Sequence, residues 1–434
     1  MPQDPQTRRP ADATRQLLAE LGCGSVDELF AEIPPELRWD QPLRVPERLA
    51  ECELAARLAE LATPNTHLDE ATCFLGGGSY DHYVPAVVDA VAAAAGSELV
   101  GPQAPQPWLQ VVLELQRLFE VLTGCECATA PFADGPTALV EAVRLAARAT
   151  GRPEAVVARS VHPGYRAVAR AELAGSAIEL VEAGYHGGVT RPDQVERLLG
   201  DRTACLVLQH PNYFGCLEDV ATLAAAAHGH GARCIVSVDP LSLGLLAPPA
   251  ASGADVALAD AQALGSHPAY GGGSPGLLAC RGELAAELPG WRVERQGETL
   301  VAVGEARDGI RADALVRPVA YLATVGAAGL ERAASLCLSR AHETQRRVCS
   351  IEGFHPRFRA PFFKEFAVES DLAPDDIAEE LLQSNLLGAL PLQPDYPEMD
   401  HGSLFAATER RTTTDIDMLY HALDLMADLS AELE

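Results

Sequence analysis

Between about residues 73 and 290, short apolar runs alternate with longer Ala/Leu-rich stretches whose polar residues recur at helical spacing. Ala155-Val156-Val157-Ala158, Ala204-Cys205-Leu206-Val207-Leu208 and Cys234-Ile235-Val236-Ser237-Val238 are continuous apolar runs of strand length, the pattern of strands buried on both faces. Helices are expected between them, at 136–148 and 219–228. Such alternation predicts an α/β fold with a parallel sheet covered on both sides. Upstream, helical patterns at 13–21, 25–30 and 51–61 are punctuated by Pro34, Pro35, Pro42 and Pro46, which suits an arm packed on a larger body. After Trp291 the pattern changes: one long helix over 317–347, a strand over 362–368 and a final amphipathic helix over 414–433 predict a smaller α+β domain. The expected boundaries are 1–72 for the helical arm, 73–300 for the large α/β domain and 301–434 for the small one.

Charge and composition narrow the function. The chain of 434 residues is 48% apolar, enough for a sizeable core, and its formal charge of -28 opposes nucleic acid and anionic lipid. No stretch reaches the roughly 18 apolar residues of a membrane span, and the first residues contain no continuous apolar segment, so a cytoplasmic location is expected. Eleven cysteines are scattered without a CxxC pair and read as free thiols rather than metal ligands. His228 and His230, beside Gly229 and Gly231, read as a helix end, so no metal site is expected.

Three local signals suggest an anion or cofactor site. Ala133-Asp134-Gly135-Pro136-Thr137 precedes a strong helix, whose free N–H groups favour phosphate, and helix capping explains the same residues. Asp239 follows a predicted strand, where ligands of open α/β sheets gather. The run Gly271-Gly272-Gly273-Ser274-Pro275-Gly276 is too glycine-rich for packing alone. It also matches G-x-S-x-G, but Pro275 has no N–H for an oxyanion hole, which excludes a serine hydrolase. The most distinctive segment is Phe74-Leu75-Gly76-Gly77-Gly78-Ser79-Tyr80-Asp81-His82-Tyr83-Val84-Pro85, a loop dense in hydrogen-bonding groups.

That segment resembles the FLGxGxYDHYxP stretch of subunit 1 of glycine dehydrogenase (decarboxylating), the α half of the two-chain glycine cleavage P-protein. Val161-His162-Pro163, Gln209-His210-Pro211-Asn212-Tyr213-Phe214-Gly215, Val236-Ser237-Val238-Asp239-Pro240, Phe362-Phe363-Lys364-Glu365-Phe366 and Thr408-Glu409 agree with the same family in order and spacing. The resemblance implies an aspartate aminotransferase-like fold (pyridoxal phosphate, PLP, fold type I) and a heteromer, α2β2, in which a β chain holds PLP on its lysine. This sequence has one lysine, Lys364, about 100 residues beyond Ala263, which with its neighbours is where the pattern of the lysine-bearing chain puts the Schiff-base residue. Lys364 is therefore not expected to carry the cofactor. The expected site comprises Tyr80, Asp81, His82 and Tyr83, completing the partner's active site, and Gly135, Thr137, Asp239, Gly271, Gly272 and Gly273 as cofactor-contacting positions.

Two stretches depart from the family pattern. Val100-Gly101-Pro102-Gln103-Ala104-Pro105-Gln106-Pro107-Trp108-Leu109-Gln110 replaces a segment with tyrosines, a glutamate and a serine, and Arg311-Ala312-Asp313-Ala314-Leu315-Val316-Arg317-Pro318 replaces a Thr-Ser-Asn-rich one. The leading expectation is the α-type subunit of a PLP-dependent glycine decarboxylase that serves a lipoyl carrier. The departures keep open a different amino-acid substrate, and a non-catalytic scaffold or regulatory subunit is the third reading.

Overall fold

The computed structural model describes residues 11–39, 41, 44–268, 274–305 and 309–433. The chain divides into two compact units, one through Asn65 and one spanning Thr66–Glu434. The first contains helices α1 (Ala11–Glu20) and α2 (Glu51–Ala62), with 3-10 turns at Asp27–Phe30 and Pro35–Leu37 between them. From residue 13 onward none of its described residues is buried.

The second unit is built on a seven-stranded sheet. Its strands are β1 (Cys127–Ala128), β2 (Glu154–Ala158), β3 (Glu179–Ala183), β4 (Thr203–His210), β5 (Arg233–Val238), β6 (Val256–Asp260) and β7 (Gly276–Cys280). Their order is β1-β7-β6-β5-β4-β2-β3, with β7 antiparallel to both neighbours and the other pairs parallel. The three apolar runs read as strands are β2, β4 and β5, extended by a residue or more. Helices α3 (Ala86–Ala95), α4 (Gln106–Thr123), α5 (Gly135–Thr150), α6 (Pro163–Leu173) and α7 (Val220–Gly229) accompany the sheet. Asp134 and Asp219 cap α5 and α7 by accepting the N–H three residues on, from Thr137 and Thr222, which sets both helix starts locally.

Helix α8 (Ala312–Val348) corrects one expectation: it is interrupted at Gly326, whose φ of 60° is not helical, so two segments meet where one helix was predicted. Leu315, Tyr321, Leu330 and Cys337 of α8 join the large core, whereas Ala341 and Val348 join the small one. The two apolar cores therefore meet within this helix. The small core lies with a four-stranded antiparallel sheet, ordered β8-β9-β11-β10: β8 (Phe354–Pro356), β9 (Glu365–Ser370), β10 (Leu390–Pro391) and β11 (Gly402–Ala406). Helices α9 (Pro374–Gln383) and α10 (Thr413–Leu433) complete it. The predicted strand at 362–368 begins three residues later, which leaves Lys364 just ahead of β9. No helix among the described residues is long and apolar enough to cross a membrane.

Candidate active site

A cleft opens where β4, β5 and β6 end, the place where ligands of open α/β sheets bind. Asp239 follows β5, and Asp260 and Ala263 follow the body of β6; all three line the cleft with Tyr80, His162 and Lys364. The Tyr80 loop arrives because Thr72 and Cys73 pair in parallel with Leu386 and Leu387 of the small domain, and the Phe74 carbonyl accepts the Ala406 N–H. Close approach explains a glycine on either side of Glu365. A Cβ on Gly76 would lie 2.0 Å from Glu365 Oε1, and one on Gly215 would lie 1.7 Å from the Glu365 carbonyl oxygen.

The centre of the site is Lys364. Its Nζ is 2.7 Å from Asp239 Oδ2, 2.8 Å from His82 Nε2 and 3.6 Å from the centre of the Tyr80 ring, and its side chain is 3% exposed. An ammonium offers only hydrogens, so His82 accepts at Nε2 and donates from Nδ1 to Glu409 Oε2, 2.8 Å away. The Tyr83 N–H and the Cys337 thiol also donate to Glu409, at 2.6 and 3.1 Å. Burial alone would push this carboxyl up. The His82 ring and these donors outweigh burial and hold it down at about 2. Hydrogen bonds thus account for the convergence of His82, Cys337 and Glu409, three groups that are also metal-ligand types.

Glu365 behaves in the opposite way. The Gly77 N–H and the Tyr80 hydroxyl donate to it at 2.5 and 2.9 Å, yet burial dominates and pushes its carboxyl up to about 7. Gln262 fixes the same loop by accepting the Tyr80 N–H and donating to the Tyr80 carbonyl. His162 accepts the Gly164 N–H at Nδ1 and therefore donates from Nε2 to the Gly77 carbonyl, at 2.7 Å.

The predicted residues separate into groups. Tyr80 and Asp239 line the cleft, and His82 lies behind Lys364. Asp81 is buried in ion pairs with Arg410 and Arg411, and Tyr83 is 62% exposed, so the four do not form one constellation. Asp81 and His82 are enclosed by their own chain. Gly135 and Thr137 sit at the start of α5. The Gly135 N–H donates to Asp260 and the Thr137 N–H to Asp134, and Thr137 lines a separate cavity with Phe132 and Arg144. Gly271, Gly272 and Gly273 lie outside the described residues. Sequence reading set Lys364 aside and missed Glu365 and Gln262. The available signal was a Lys-Glu pair inside the apolar run 362–366, because buried charges require partners.

The chain matches the family described as glycine cleavage system P-protein over residues 8–423. This chain belongs to that P-protein family. It is 37% identical to the probable glycine dehydrogenase (decarboxylating) subunit 1 of Carboxydothermus hydrogenoformans, over 96% of this chain and 98% of the relative. The corresponding protein of Thermomicrobium roseum is 38% identical, over 95% and 97%. Among solved structures, a glycine decarboxylase (P-protein) of the glycine cleavage system in inhibitor-bound form superposes with a TM-score of 0.83 at 34% identity, covering 98% of this chain and all of that one. A glutamate decarboxylase from Lactobacillus brevis, at 13% identity and a TM-score of 0.72, shares the fold alone.

Proposed function

We propose that this P-protein chain is the subunit-1-type half of a two-chain, PLP-dependent glycine decarboxylase, and that the cofactor is held by a lysine of the partner subunit. The carrying observation is Ala263 in the cleft. A small apolar side chain stands where the resemblance expects the Schiff-base lysine, and the chain's one lysine is engaged with Asp239 instead. The rest of the cleft does not fit PLP. Its phosphate would need the N–H groups at the start of α5, but Asp134 and Asp260 already accept them, and two carboxylates repel an anion. A PLP ring nitrogen needs an acidic partner, and Asp239 has one cation already.

A heteromer is supported by the unit through Asn65, which exposes Phe30, Trp39, Leu54, Leu58 and Leu61, side chains that a partner subunit would cover. Tyr83, exposed on a loop held by Glu409 and Gln262, is the residue of that loop suited to meeting the partner or its substrate. A lipoyl carrier protein is the acceptor this reading implies.

The test is co-expression with the lysine-bearing subunit, followed by glycine-dependent CO2 release, borohydride reduction and peptide mapping. The expected result is activity only with both chains present and a reduced pyridoxyl label on the partner. A label on Lys364 would refute the assignment, and a partner equally active alone would make this chain a scaffold.

One observation favours a second substrate reading. The two segments that depart from the family pattern meet in space, because Val100 pairs with Ile310 and Leu99 with Arg311. Altered segments in contact are what a changed specificity would produce. A panel of amino acids in which only glycine reacts would dismiss that reading.

A further inference from the structure

We propose that the Lys364 ammonium is a built-in replacement for the cationic ring that a cofactor-bearing cleft of this fold receives, and that it keeps this chain's cleft closed to such a ring. The inference rests on the reading that the cofactor belongs to the partner subunit.

The recognition elements for a flat cation are all present. Asp239 stands at the end of β5 as an acidic partner for a pyridinium nitrogen, and the Tyr80 ring offers an aromatic face. Lys364 occupies both. Its Nζ directs hydrogens to Asp239 Oδ2 and His82 Nε2, and it lies 3.6 Å from the centre of the Tyr80 ring. No lone pair is left on an ammonium held in this way, so the amine is not a nucleophile toward an aldehyde. The pair is internally neutral: a second cation would displace the ammonium from its carboxylate or meet it at contact distance.

The remaining contacts hold the ammonium in place. Glu365, the next residue, is bound by the Gly77 N–H and the Tyr80 hydroxyl, and Gln262 clamps the Tyr80 backbone from the other strand end. His82 is oriented by Glu409, so the second acceptor of the ammonium is fixed by a carboxylate 327 residues away. Lys364 is thus a specificity-determining residue: it decides that this subunit's cleft carries a protein cation and not a ligand cation.

The experiment uses the full chain, with ethylammonium and pyridoxine as probes. Pyridoxine supplies the ring without the phosphate that Asp134 and Asp260 would repel. The Lys364→Ala variant should melt about 4–8 °C below wild type, because Asp239, whose side chain is only 14% exposed, loses its partner. Ethylammonium at millimolar concentration should restore most of that loss and leave the wild type unmoved. Pyridoxine, followed by its fluorescence, should bind Lys364→Ala roughly ten-fold more tightly than wild type. Equal pyridoxine affinity in the two proteins overturns the proposal, as does a variant whose melting neither falls nor responds to ethylammonium. If Lys364→Ala does not fold, the double variant Lys364→Met, Asp239→Asn decides. A folded double variant that ignores both probes supports the charge replacement, and one that also fails to fold overturns it. Failure of the partner reading is distinguishable, since it shows as a misplaced pyridoxyl label in the complex while these melting and binding results stand.

Discussion

The Lys364 cleft and the unit through Asn65 use their side chains in opposite ways. In the cleft and the Tyr80 loop behind it, buried charges meet partners within the chain: Lys364 with Asp239, His82 with Glu409, Asp81 with Arg410 and Arg411. In the first unit large apolar side chains remain uncovered, with Leu37 at 74% and Trp39 at 76% exposure. Charges paired within the chain are already satisfied, whereas exposed apolar surface favours a partner.

One expected effect breaks the comparison from the interface side. Replacing Phe30, Trp39 and Leu58 together with alanine should weaken binding to the partner subunit roughly 100-fold, while the chain's own melting moves little, because none of the three is buried. Titration calorimetry reads the affinity, and an unchanged value would show that this surface is covered by something else.

From the cleft side, Asp81→Asn should lower stability in urea unfolding by about 3–5 kcal/mol, because it leaves Arg411, itself nearly buried, without its carboxylate. A loss below about 1 kcal/mol would mean that water already solvates the pair and the network is not closed.

The smallest effect sharpens the contrast within the cleft. Glu365 holds its proton more tightly in the fold, at about 7, than at the ordinary value of 4.5. Its contribution to stability is therefore full below pH 4.5 and is lost as pH rises through 7. Relative to wild type, Glu365→Gln should become more stable by about 1–3 kcal/mol between pH 4 and pH 8. Glu409, held at about 2, has the opposite sign: its contribution is present above 4.5 and disappears as pH falls toward 2. A flat difference between Glu365→Gln and wild type would place water, not a buried carboxyl, beside Tyr80.

Much of the fold was legible in the chain. The apolar runs of β2, β4 and β5 and the helices between them follow from spacing, and the motif loop at 74–85 identified the family. The site was legible only in part. Asp239 and Tyr80 lie on the cleft, whereas the Gly135 and Thr137 N–H groups meet Asp260 and Asp134, and an anion-binding turn and a self-capped helix start look alike in sequence. Asp260, the acceptor for the Gly135 N–H, lies 125 residues downstream. The long helix was misread for a related reason: its break rests on a single residue, Gly326, in a stretch otherwise suited to helix.

By itself the sequence determined the three central strands β2, β4 and β5, the starts of α5 and α7, the family and the absence of a lysine at or beside Ala263. Those features depend on residues within a few positions of one another or on a matched motif. Only the tertiary structure decided what the single lysine does. Nothing local distinguishes an ammonium bound for solvent from one bound for a carboxylate in a cleft. The outcome was set when β5, the Tyr80 loop and the approach to β9 converged, joining His82 to Lys364 across 282 residues of chain.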